Sequence, residues 1–270
     1  MSAPSKAFEI GYFVYIPGRY VVCLHISLNS KGLEKPGILA SIFNVFAEFE
    51  IPIVSVKMPA PKPGENAELS VFADFTGRRD DLRKIVDKIR SLEFVEKAEA
   101  IKPLFKGFAV DTTYTRLTLA GGRVIVFREP TYEGLIKGFR KRFGAIAKEL
   151  LYYIGFEAGR KMYNVYSKMV EEAGGGLNEL LAFWREVFRH TGFGAIEHVE
   201  ISYLTKTAII KVQDSFECKL FKETGKFESH GVRGFIAGFM SSLFKTKVRV
   251  EETKCIAKGD PYCEFAVYGA

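Results

Sequence analysis

The apolar positions of the first hundred residues alternate between two periods. Residues 20–28, Arg-Tyr-Val-Val-Cys-Leu-His-Ile-Ser, predict a strand rich in β-branched residues. A polar turn follows at 29–32. Pro36 then stands where a helix tolerates proline, in its first turn. Ile38, Leu39, Ile42, Phe43, Val45, Phe46 and Phe49 recur at helical spacing, so one face of 37–50 is core. Strands are expected at 53–58 and 67–75, around a Pro- and Gly-rich loop. Residues 80–91 form a helix with Leu82, Ile85, Val86, Ile89 and Leu92 inward, and 94–101 closes as a strand. The order β-α-β-β-α-β predicts a ferredoxin-like domain over 1–102.

The pattern changes after a short linker at 102–107. Strand-like segments at 114–119 and 124–128 flank Ala120-Gly121-Gly122-Arg123, a hairpin signal. Helices are expected at 131–142, 144–171 and 177–190, with Gly174-Gly175-Gly176 ending the second. Strands at 196–203 and 207–218, a helix at 229–244 and a hairpin of 247–256 with 262–268 complete the chain. The fold class is therefore α+β. Its second domain, 103–270, packs helices on an antiparallel sheet. Gly155-Phe156-Glu157-Ala158-Gly159 and Gly234-Phe235-Ile236-Ala237-Gly238 each place two glycines inside a helix. Each glycine there costs about 1 kcal/mol against alanine, which points to close helix contact or to room for a ligand.

Composition narrows the function classes. With 47% hydrophobic and 26% charged residues the chain is globular rather than disordered. No run approaches the roughly 18 apolar residues of a membrane span, residues 1–8 lack the apolar core of a signal peptide, and four cysteines are too few for a disulfide scaffold. A cytoplasmic protein is expected. Lys and Arg number 14 against 13 Asp and Glu before residue 106, and 25 against 19 after it. That diffuse excess reads as a solvated face, and direct nucleic-acid binding is not expected. No Gly-x-Gly-x-x-Gly opens a βαβ unit and no nucleophile–base set stands out, so the sequence argues against an enzyme.

Lys35-Pro36-Gly37-Ile38-Leu39, the helix after it and Ile51-Pro52-Ile53 resemble an ACT domain, a regulatory module that often binds amino acids. The family's acidic or amide residue before Pro-Gly is here Lys35. The C-terminus, Glu251 to Phe265, resembles the closing motif of the 4-vinyl reductase domain family. Gly122 to Val126, Gly155 to Gly159, Asp214 to Glu217 and Gly234 to Gly238 fall in the expected order upstream. That resemblance implies a small-molecule-binding module with an apolar pocket. The family includes sensor domains for phenols and proteins tied to bacteriochlorophyll synthesis, and it shares a fold with transport-complex subunits.

Cys255 and Cys263 flank a tight turn, and a metal site, a disulfide or two packed thiols would each satisfy that spacing. In the aromatic-sensing relatives a structural zinc is held by one Glu and three Cys, and Glu252, Cys255 and Cys263 match three of them. Strand alternation sets Glu252 and Cys255 on opposite faces, so a bulge is required. The family's third cysteine is here Ser229, leaving His230 and Cys218 as candidates. Aromatic residues supply a candidate lining: Phe139, Phe143, Tyr153, Phe156, Phe183, Trp184, Phe188, Phe235 and Phe239, with the Trp184 N–H as the polar handle. The expected function is a homodimeric sensor of an apolar or aromatic molecule, passing its signal to another protein. The alternatives are a ligand-free interaction module, or a carrier in tetrapyrrole or lipid metabolism.

Overall fold

The computed structural model describes residues 7, 9–30, 35–61, 64–222 and 224–269. The chain divides into two compact units, residues 1–125 and 126–270. The division falls later than the expected 102/103 because the intervening chain packs on the first unit. Strand β6 (Phe108–Val110) pairs with β1 (Phe13–Tyr15), a strand the apolar pattern did not announce.

The first unit is built on β2 (Val21–Leu28), α1 (Ile38–Glu48), β3 (Ile53–Lys57), β4 (Ala67–Asp74), α2 (Asp81–Arg90) and β5 (Val95–Ile101). Its antiparallel sheet has the order β3-β4-β2-β5, the ferredoxin-like arrangement. Alternation along β2 explains the layering. Val22, Leu24, Ile26 and Leu28 meet Ile38, Ile42, Val45 and Phe46 of α1 and Ile85, Val86 and Ile89 of α2. Val21 and Cys23 face the other way, into a small core with Val14 and Ala109 of the β1–β6 ribbon. His25 shares that face and is buried between two carboxylates, Nε2 3.0 Å from Glu68 and Nδ1 3.1 Å from Asp111. The sequence offers no partner for it, because Asp111 arrives from 86 residues away. Residues 31–34, the loop in which the ACT resemblance places a ligand, lie outside the described residues.

The second unit follows β7 (Thr118–Leu119) and β8 (Gly122–Arg123), which are only two residues each where longer strands were expected. It opens with α3 (Glu129–Glu133), a π-helical turn (Gly134–Gly138) and α4 (Phe139–Glu172). Then come α5 (Leu177–His190), β9 (Ala195–Ser202), β10 (Thr207–Gln213), α6 (Phe216–Lys219), α7 (His230–Phe244), β11 (Val248–Lys254) and β12 (Cys263–Gly269). The antiparallel order is β11-β12-β10-β9. Ala208, Ile210 and Val212 of β10 and Val248 and Val250 of β11 point into one core with Trp184 of α5 and Val232, Ile236 and Phe239 of α7. Arg185 fixes α5 to β9 by donating to the carbonyls of Ile196 and Glu197, each at 3.0 Å.

The paired glycines decide how α4 meets α7. A Cβ on Gly155 or Gly159 would lie 2.1 and 2.0 Å from the carbonyl oxygens of Gly231 and Phe235. One on Gly234 or Gly238 would lie 2.0 and 1.9 Å from those of Tyr152 and Phe156. The two backbones touch directly, so these glycines serve helix contact and leave no room for a ligand between them.

Candidate functional site

Three short stretches converge at one end of the second sheet. β10 stops at Gln213, and Asp214 turns the chain with φ +58°, a conformation that Asp tolerates better than most residues. Residues 214–218 are therefore not strand, as the sequence pattern suggested. Cys218 sits on α6 and is fully buried. Cys263 opens β12 opposite Val212. Glu252 lies in β11 and Cys255 just beyond it, and the β11–β12 register shifts between Glu252 and Lys254. That irregularity is the bulge that two-residue alternation demands, and it brings Cys255 to the same side as Glu252.

The ligand atoms of Cys218, Glu252, Cys255 and Cys263 all lie within 4.8 Å of one another. Cys255 Sγ is 3.3 Å from Cys218 Sγ, which is 3.7 Å from Glu252 Oε1. With Zn–S near 2.3 Å and Zn–O near 2.0 Å, tetrahedral ligand atoms stand roughly 3.5–3.8 Å apart. The spacing present is thus close to that of a four-ligand site, and the cluster could hold a metal. Ser229 fills the gap differently from a ligand. Its N–H donates to Glu252 Oε2 at 3.1 Å and its Oγ lies 2.7 Å from Cys218 Sγ. It positions two members of the cluster, and Cys218 arrives from another element to complete the set.

His230, the fifth candidate from the sequence, stands outside these four. Its Nε2 is 3.5 Å from Glu228 Oε2. Burial, then the neighbouring Arg140, Lys148 and Arg233, push it down to about 4, so its ring is neutral. Among the cluster members, hydrogen bonds from Cys218 and Cys255 pull Cys263 down to about 4. Cys218 moves upward through its bonds with Cys255 and Cys263. Burial, then the Cys255 hydrogen bond, pushes Glu252 up to about 8. These groups share too few protons among too many buried acceptors, a frustration that a divalent cation removes by replacing the protons.

Glu217 is the feature that the sequence pattern did not single out. Its buried carboxylate accepts the N–H groups of His230, Gly231 and Val232 at 3.0, 2.9 and 2.8 Å. It caps α7 from a distant segment, satisfying donors that every helix start leaves open. The adjacent position in α6 thereby sets Cys218. Its place in Asp214-Ser215-Phe216-Glu217 was the available signal.

The aromatic candidates separate into two groups. Trp184, Phe188, Phe235 and Phe239 are buried together, with Trp184 stacked on Phe239 at 4.1 Å between centroids. Phe156 and Phe183 pack on the edge of this cluster. Phe139 and Phe143 instead contact each other at 4.8 Å, and Tyr153 is exposed. Phe193 and Phe216 join the cluster without having been expected, Phe193 touching Phe188, Phe216 and Phe235. The Trp184 indole N–H is buried and meets no acceptor among the described residues.

Residues 208–268 match the family model of the 4-vinyl reductase domain, over the strands and helix that carry the cysteine–glutamate cluster. The C-terminal region carries a 4-vinyl reductase domain. An uncharacterized protein of Methanocaldococcus jannaschii, MJ0150, is 31% identical over 124 residues, which span 46% of this chain and 66% of that relative. The match thus covers just under two thirds of the relative's length. The phenol-responsive sensory domain of the transcription activator PoxR, solved with phenol, aligns with a TM-score of 0.48 at 19% identity, covering 55% of this chain and 78% of that one. An ACT domain from the GTP pyrophosphokinase of Chlorobium tepidum aligns with a TM-score of 0.26 at 18% identity, covering 31% of this chain and 99% of that one. The chain therefore resembles an ACT-like domain followed by a 4-vinyl reductase domain. No helix among the described residues is long and apolar enough to cross a membrane.

Proposed function

We propose that the chain is a small-molecule-responsive regulatory protein whose second unit takes an apolar or aromatic ligand beside Trp184. The observation that carries this reading is the Trp184 N–H, buried without an acceptor inside an otherwise aromatic cluster. Orphaned buried N–H groups are rare, and a ligand hydroxyl is a natural partner for one. The phenol named for the PoxR domain has that chemistry, an apolar ring and one hydroxyl. Calorimetric titration with phenol tests the reading. Binding is expected, and Trp184→Phe, which keeps a ring and removes the donor, should weaken it about tenfold. A protein that takes up neither phenol nor benzene would be an interaction module with a filled core.

A structural zinc at Cys218, Glu252, Cys255 and Cys263 belongs to the same reading. Four protein ligands close a tetrahedral site and leave no position open for chemistry, so the metal would tie α6 and the β11–β12 turn together. His230 is not needed in that set.

The chain is also read as a homodimer, through α4. Ile146, Leu150, Tyr153 and Ile154 form an exposed apolar stripe on this helix, spaced as in a helix–helix seam. The stripe is self-complementary: an antiparallel copy centred on Leu150 sets Ile146 against Ile154. Leu150→Asp changes only this surface. Light scattering should give twice the chain mass for the parent and the single-chain mass for the variant, with the variant's secondary structure unchanged by circular dichroism.

A further inference from the structure

We propose that residues 129–143 form a hinged cap on the second unit, turning at Gly144 and latched by Arg140 on Glu228, and that lifting this cap opens the way to the aromatic cluster. The last clause rests on the ligand reading above; the hinge and latch do not.

The hinge is a backbone feature. Gly144 has φ 56° and ψ −126° inside what is otherwise a continuous helix, a conformation that side-chain-bearing residues avoid. Crowding is not the reason for glycine there, because a Cβ at this position would meet nothing within 4 Å. The glycine is required by the bend alone. Beyond the bend, α4 is held backbone to backbone against α7 through Gly155 and Gly159. Before it, α3, the π turn and the first residues of α4 have a single buried apolar side chain, Ile136. π turns within helices recur at functional segments.

The latch is a buried ion pair. The Arg140 guanidinium donates to Glu228 Oε2, and both side chains are almost wholly buried, 9% and 4% exposed. The guanidinium also lies over the Phe221 ring, 3.8 Å from its centroid. Yet Arg140 Nη1 is buried without an acceptor. Glu228 is shared with Lys148 at 3.7 Å and with His230 at 3.5 Å. An arginine that uses half of its fork is held less firmly than a bidentate pair. Lys148 keeps Glu228 partnered when Arg140 leaves, so the open arrangement does not strand the carboxylate.

The cap sits on the approach to the cluster. Tyr132 of α3 meets Phe216 edge-on at 5.5 Å. Phe216 meets Phe193, which meets Phe188 and Phe235, the neighbours of Trp184. Raising the cap uncovers Phe216 first and then the route inward along Phe193. In the chain, this same segment directly follows the boundary between the two units at Ile125 and Val126. A movement of the cap is therefore passed straight into the connecting chain.

Hydrogen exchange on the full chain, read by mass spectrometry without ligand, tests the hinge. Amides of 129–143 should exchange as one group, faster than those of α7. Glu228→Gln should speed that group by about tenfold and leave α7 unchanged. Gly144→Ala, which adds a methyl into open space and disfavours the bend, should do the same. Protection of 129–143 equal to that of α7, unchanged in both variants, would overturn the proposal. Stopped-flow binding of phenol then tests the route: Glu228→Gln should raise the association rate. An unchanged rate with a loosened cap overturns the route and leaves the hinge standing, whereas absence of phenol binding in parent and variants alike overturns the ligand reading instead.

Discussion

Cys218→Ser should strip the bound metal from the second unit and lower its stability by several kcal/mol. In small structural sites the metal's binding free energy is also folding free energy. The thiol is fully buried and stands 3.3 Å from Cys255 Sγ, so serine leaves a poor ligand in a space shaped for a good one. Metal content per chain, by mass spectrometry of the native protein, should fall from one to near zero. Thermal unfolding should become insensitive to chelator. The companion variant is more decisive. Ser229 lies against Cys218, its Oγ 2.7 Å from the sulfur, and Ser229→Cys in the Cys218→Ser background moves the thiol to the neighbouring position. Recovery of metal and stability in the double variant is expected. Metal binding unaffected by Cys218→Ser would mean that Cys218 is a packed thiol and that another group completes the site.

Gly238→Ala should be nearly as damaging, through geometry alone. The new Cβ would stand 1.9 Å from the Phe156 carbonyl oxygen, and both atoms belong to backbones that cannot retreat without parting α4 from α7. Overpacking of this kind costs about 3 kcal/mol or more, against a gain of about 1 kcal/mol from replacing a helical glycine. The midpoint of thermal unfolding should drop by roughly 5–10 °C for a unit of this size. Gly138→Ala supplies the contrast. That glycine has ordinary helical torsions and a Cβ there meets nothing within 4 Å, so the propensity term acts unopposed and stability should rise slightly. Equal effects of the two substitutions would show that α4 and α7 are not in backbone contact.

Both predictions turn on residues that were visible as letters before their geometry was known. The glycine pairs stood out because a helix interior resists glycine, and the sequence left helix contact and ligand room as alternatives. Only the approach of two backbones separates them. Glu252 and Cys255 conflict under strand alternation, and the shift of register at Lys254 resolves the conflict. Periodicity cannot announce a bulge, because a bulge is the local failure of periodicity.

The aromatic residues show the limit of the same logic. Trp184, Phe188, Phe235 and Phe239 lie on amphipathic faces and meet as expected. Phe143 and Tyr153 are equally apolar but stand on the outer side of α4, with more than two fifths of each exposed. A helix with apolar residues on several sides does not say which side the core will take. That choice was made by the glycines, which turn one face of α4 onto α7 and leave the other outward.

The sequence by itself determined the two-unit α+β organisation, the ferredoxin-like order of the first unit and most element bounds of the second. These follow from local periodicity, helix-start and turn chemistry, each read within a dozen residues. The tertiary structure alone decided the completion of the metal cluster by Cys218, the capping of α7 by Glu217, the enclosure of His25 by Glu68 and Asp111, and the latching of Arg140 on Glu228. Each of those pairs residues from separate elements, 11 to 88 positions apart. Contacts of that kind are set by how layers pack and where a strand is interrupted, and no window of sequence contains both partners and the geometry that joins them.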